Sequence, residues 1–396
     1  MTARRACAGL LLVALLAVPG GSVTWAKTRL FPLPMYTTVP NEGSTYGAMP
    51  VWMHTPDGQE KIDSIYAPSL SWNKYAGVTG TFRYYRYFHE LGTWFFVASG
   101  STEINRSLWF QYDDDRRDVG TTTKNFLVRV RRNLFYRYFG LGPDTTPEGE
   151  TSHTRLFGVA SARYGWNVIR NVNIAAFAEI RGNKLEFHTI GDLPATQFVY
   201  PDAPGLDGAA LLRQGLALRY DTREHGDYTA TGFASDLSGS LAEGLVGAGI
   251  FAEIIWDSRV LLQETTWLQG AARAYWRQLI NGSRPIPFYD QASLGGELLM
   301  RGFPTDRFID TGAWEVEMEQ RIRLFQTHIF GVEADWRIDP FVAVGQVYGT
   351  DSPFSHVRVA TGAGLRMWVK PNVLGRVDLA YAGEGFKAYV VLDYPY

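Results

Sequence analysis

The 396-residue sequence contains a single cysteine, Cys7. It precedes the first apolar stretch, so a disulfide framework and a cysteine-ligated metal site are both excluded. Formal charge is nearly balanced at −2, which removes the electrostatic basis for nucleic-acid binding. Beyond the start of the chain there is no uncharged apolar run of the roughly 18–20 residues a spanning helix needs. The longest candidate, 244–256, is too short and is broken by Glu253. Enzymatic motifs are missing as well: no Gly-x-Ser-x-Gly, no phosphate loop, and no second histidine after His89-Glu90. The histidines are scattered without ligand spacing, and Asp113-Asp114-Asp115 reads as a solvated loop. A protein without catalytic residues, metal or cofactor is expected.

What is present points to export. Arg4 and Arg5 precede an apolar core at 8–18, helix-breaking Pro19-Gly20-Gly21, and small Thr24 and Ala26 ahead of Lys27. This order predicts a cleaved signal peptide over 1–26. Residues 27–43, punctuated by prolines, read as an extended lead-in segment, and 44–396 as one domain. At 14% aromatic, 20% charged and 41 glycines, that domain suits twisted strands, tight turns and aromatic girdles.

Alternation with a period of two dominates the second half. Glu315, Glu317, Glu319, Arg321 and Arg323 interleave with Val316, Met318, Gln320, Ile322 and Leu324. Successive strand residues point to opposite faces, so the charges share one face and mostly apolar residues the other. The same holds for Glu333, Asp335, Arg337 and Asp339, for Arg358 and Arg366, and for Arg213, Arg219 and Asp221. A soluble sandwich would place the charges in solvent. With export and no helical span, the pattern instead predicts a closed barrel with a polar lumen and an apolar lipid face, since only helices and closed barrels satisfy their backbone in lipid. The last segment ends on Tyr394 and Tyr396, as expected of a strand that closes against the first. Segment spacing predicts an all-β, closed antiparallel transmembrane barrel of about 16 strands. Loops rich in turn residues are expected at 113–120, 142–152, 191–208 and 281–308.

The least strand-like of these loops carries Leu294-Gly295-Gly296-Glu297-Leu298-Leu299-Met300-Arg301-Gly302-Phe303. It resembles the conserved loop of the bacterial surface-antigen barrels, the BamA/TamA superfamily. Five further stretches resemble the same family in the same order: 138–145, 218–223 with Gly232, Glu319-x-Arg321, 340–345 and 362–366. Together they cover most of the chain from about 44 onward. The resemblance implies that the loop folds back into the lumen and that the tip, Arg301-Gly302-Phe303, contacts the inner wall. Arginine presents a planar fork that suits a carboxylate, and Glu317, Glu319 and Asp339 are the candidate partners. Where the family usually carries an aspartate on the following strand, this chain has Ala343. A second departure is the absence of the periplasmic client-binding domains of protein-handling members.

The resemblance implies a bacterial outer-membrane location and a role in protein insertion, assembly or translocation. Expected partners are outer-membrane lipid, client polypeptides or a separately encoded periplasmic protein. The alternative reading is a passive pore, a lipid-contacting scaffold or a membrane anchor.

Overall fold

A computed structural model describes residues 28–392, apart from 57–61, 90, 224–230, 330–331, 351 and 370–372. The expected signal peptide and the closing pair Tyr394 and Tyr396 lie outside the described residues. No helix among the described residues is long and apolar enough to cross a membrane.

The chain folds as an antiparallel meander in which each strand pairs with the next, and the last returns to the first. There are eighteen barrel strands rather than about sixteen. They are β1 (Thr28–Val39), β2 (Gly43–His54), β3 (Ser64–Tyr66 and Ser69–Asn73), β4 (Gly77–His89), β5 (Gly92–Ser101), β6 (Arg106–Asp114), β7 (Thr122–Tyr138), β8 (Thr151–Ile169) and β9 (Val172–Glu186). Then follow β10 (Ala209–Asp221), β11 (Gly232–Val246), β12 (Phe251–Gln263), β13 (Leu268–Asn281), β14 (Gly312–Ile329), β15 (Val332–Tyr348), β16 (Arg358–Val369), β17 (Val373–Ala382) and β18 (Gly385–Leu392).

Two features set this number. The barrel starts at Thr28, not at residue 44: β1 pairs with β2 from Thr28↔His54 to Val39↔Gly43. The two pieces of β3 keep one register against both neighbours and are one strand, interrupted at Ala67-Pro68.

The alternation sets the two faces. On β14, Glu315 is buried in the lumen while Met318 is 59% exposed to the outside. Leu216, Tyr164, Trp166, Val359 and Leu379 are likewise exposed on the outer wall. In water such a surface would carry a large unfavourable free energy; in lipid it is at home. The connections 139–150, 187–208, 282–311 and 349–357 all lie at one end of the barrel. Both described termini lie at the other end.

The interior is packed. Residues 282–311 turn inward, braced by a short ladder between Ala292–Leu294 and Phe308–Asp310. Their Ile286, Leu294, Met300, Phe303 and Phe308 form one buried cluster with wall residues that include Ala313, Ala343, Ala360 and Ala382. Small inward residues make room for the in-folded loop.

Candidate functional site

The loop tip is seated on β14. Glu315 accepts the backbone N–H of Met300. Two residues along, on the same inward face, Glu317 accepts from Arg301 at 2.7 Å (Nη2) and 3.2 Å (Nε). Two further, Glu319 accepts from the same Nη2 at 2.8 Å. The period-two carboxylate row is therefore a cradle for residues 300 and 301. Arg301 also lies 3.7 Å from the Phe341 ring centre, a cation–π contact. Burial disfavours its charge, but the carboxylates of Glu317, Glu319 and Asp378 outweigh this and hold its pKa well above the ordinary value.

Asp339, the third candidate partner, is fully buried but pairs with Arg366 at 3.2 Å. The additional acid at Arg301 is Asp378 on β17, at 3.4 Å from Nη1. Asp378 also pairs with Arg366 at 2.6 Å and Arg376 at 3.3 Å. Sequence reading missed Asp378, although Arg376 and Asp378 alternate with Val377 and Leu379 in the same period-two pattern. Ala343 lies fully buried in the apolar cluster that holds Met300 and Phe303. Position 343 is thus used for packing.

Gly302 has φ of 121°, a region closed to residues with a Cβ. A Cβ there would also stand 3.2 Å from that of Ala382 and 3.3 Å from that of Ala360. Phe303 is buried edge-on to Phe308, with ring centres 5.1 Å apart.

The stretch after the tip reaches both sides of the barrel's closure. The Phe303 carbonyl accepts from the Tyr389 hydroxyl of β18 at 2.6 Å. The Thr305 carbonyl accepts from Asn41, in the β1–β2 turn, at 3.2 Å. Arg307, almost wholly buried, pairs with Glu384 in the β17–β18 turn at 2.6 Å and donates to Thr145 Oγ1 at 2.8 Å. Three residues within one five-residue stretch therefore bind the first hairpin, the last hairpin and the 139–150 loop.

Thr38↔Val390 is the register pair described between β1 and β18. Pro32 and Pro34 sit within an uninterrupted ladder to β2, opposite Pro50 and Ala48. A proline has no N–H, so in such a ladder its nitrogen must face the other edge. That edge is the seam, which lacks two donors.

Other loops interlock above the lumen. Tyr200 donates to the carbonyls of Phe139 and Gly149, both at 3.0 Å, and Tyr289 to Gly205 at 3.1 Å. Of the motif-bearing stretches, 138–145, 294–303, Glu319-x-Arg321, 340–345 and 362–366 converge on this assembly. The stretch 218–223 does not: Asp221 pairs with Arg223 and Arg117 at the opposite end of the barrel. The described residues hold no cluster of metal-ligating side chains.

No family model and no curated protein sequence matches the chain. Solved structures do. A BamA from Haemophilus ducreyi lacking POTRA domains 1–3 aligns with a TM-score of 0.56 and 13% identity, over 91% of this chain and 74% of that one. CdiB from Acinetobacter baumannii aligns with a TM-score of 0.51 and 12% identity, over 92% of this chain and 59% of its own length. At such identities the likeness establishes the fold alone: this chain is a β-barrel of the architecture seen in BamA and CdiB.

Proposed function

We propose that this chain is an outer-membrane barrel of the BamA/TamA type that inserts or translocates polypeptide through the seam between β1 and β18. The in-folded loop acts as an internal clasp on that seam. The observation that carries the reading is the reach of residues 303–307 to both sides of one donor-poor closure. A barrel that only had to stay shut would gain from a fully paired edge. This one instead has two prolines facing the seam and a separate device holding it from inside. The motif resemblance supports the same reading, and clients or a separately encoded periplasmic partner would supply the capture step.

The test is a locked seam. Thr38→Cys and Val390→Cys, in a Cys7→Ser background, place two thiols opposite each other across the closure, within the span a disulfide bridges. Liposomes carrying the protein are given an unfolded outer-membrane barrel as client. Oxidation should reduce client assembly at least tenfold, and reductant should restore it. Equal assembly by the locked and reduced forms would refute seam-based activity.

A further inference from the structure

Most lumenal arginines end on a carboxylate. Arg181 and Arg213 meet Glu179, Arg213 and Arg277 meet Glu253, and Arg366 lies between Asp339 and Asp378. The wall made by β7 and β8 departs from this rule. Val130 and Tyr164 are exposed on its outer face, so alternation turns Arg129 and Arg131 of β7, and Arg155 and Arg163 of β8, into the lumen. Among the described residues no carboxylate comes within ion-pair distance of Arg129, Arg155 or Arg163. Arg131 reaches only Glu42, at 3.7 Å.

The four arginines form a column. In the β7–β8 register Arg155 faces Asn133, Phe157 faces Arg131, Val159 faces Arg129, and Arg163 faces Asn125. From the level of Asn133 to that of Asn125 the column runs about 27 Å along the strands, comparable with the apolar band of an outer-membrane barrel. Aromatic rings, not acids, hold two of its members. The guanidinium of Arg129 lies 4.5 Å from the Trp109 ring centre, and that of Arg155 lies 3.8 Å from the Tyr136 ring centre. A cation–π contact fixes a guanidinium in place without neutralising it, and arginine keeps its charge at any physiological pH. Asp113 and Asp115, at the level of Arg163, accept instead from Asn125, at 2.9 and 3.2 Å.

The in-folded loop leaves this wall accessible. Across the lumen, the inward residues Glu315, Ala343, Ala360 and Asp378 are buried almost completely. On β6 and β7, the inward residues Trp109, Gln111, Leu127 and Arg129 are only half-buried, and the Arg131 side chain is 32% exposed. Un-neutralised cations along a narrow, low-dielectric passage attract anions and repel cations, and arginine-lined constrictions select anions and phosphates in membrane pores. We propose that the lumen beside β6–β8 is an anion-selective passage, in which Arg155, Arg131, Arg129 and Arg163 hand small anions such as chloride and inorganic phosphate along the wall. This passage does not depend on the β1–β18 seam; it requires only that the barrel span a membrane.

The experiment measures reversal potentials of the purified full chain in planar bilayers under a KCl gradient. Chloride should permeate at least about fivefold better than potassium. Arg129→Gln with Arg131→Gln should bring that ratio close to one, and Arg129→Glu with Arg131→Glu should invert it, with the heat-modified gel shift reporting an intact barrel. Should the paired variants fail to fold, Arg163→Gln, at the other end of the column, should lower the ratio at least about twofold. Inorganic phosphate should reduce the chloride current of the unaltered protein and spare that of the Gln pair. An unaltered protein that carries no current, or passes potassium as readily as chloride, would overturn the passage. So would a chloride preference indifferent to substitution at 129 and 131, or at 163.

Discussion

Arg301 illustrates how little of a buried cation's stability comes from any single bond. Its guanidinium meets Glu317, Glu319 and Asp378 and lies on Phe341. Arg301→Ala removes all four and leaves buried carboxylates facing one another. Breaking such a pair from one side costs about 3–5 kcal/mol, so the variant should unfold in the heat-modified gel shift at a clearly lower temperature. Gly302→Val should match it, because φ of 121° and the approach of Ala382 leave no place for a branched side chain. Position 343 gives a sharper comparison. Ala343→Asp would bury a charge among apolar side chains, directly across the strand from Glu317. An unpaired buried group costs about 1–3 kcal/mol, so thermal stability should fall. A stabilised Ala343→Asp variant would mean that position 343 still has a free cationic partner.

Elements decide what the residue pattern leaves open. The row Glu315, Glu317 and Glu319 was readable as one lumenal face because strand alternation is local. Which of its carboxylates meets Arg301 depends on how the loop packs against the wall, since the loop must first fold inward. Asp378 illustrates the reverse case: its own strand carries the pattern, but its partner arrives from 77 residues away. β1 was hidden for a different reason. Its prolines suggest an irregular leader until the ladder to β2 shows that both nitrogens face the seam. Replacing both, Pro32→Val with Pro34→Val, would supply two donors to that edge, each worth about 0.5–1.5 kcal/mol if paired. Amide exchange across residues 32–38 should then slow, and client assembly should drop. Unchanged exchange would show that the prolines do not limit the seam.

At the scale of the whole molecule, the barrel is closed, lined with paired charge and filled by its own loop. An open pore of this circumference would conduct strongly. With residues 282–311 seated inside, purified protein in planar bilayers should show small, flickering conductance. Glu317→Ala with Glu319→Ala removes two seats of Arg301 and should raise both open probability and conductance. A large, stable pore in the unaltered protein would favour the passive reading over seam-based insertion.

The sequence by itself determined the strand period, the polar lumen and apolar exterior, the place of a long loop at 281–308 and the row of Glu315, Glu317 and Glu319 on one face. All of these follow from side-chain alternation and turn chemistry, which act over a few residues. The tertiary structure alone decided the eighteenth strand and the first strand's start at Thr28. It also decided the substitution of Asp378 for Asp339 beside Arg301, and the reach of Phe303, Thr305 and Arg307 to the first and last hairpins. Those depend on closure, which joins the two ends of the chain and sets every inward side chain against a wall that local pattern cannot specify.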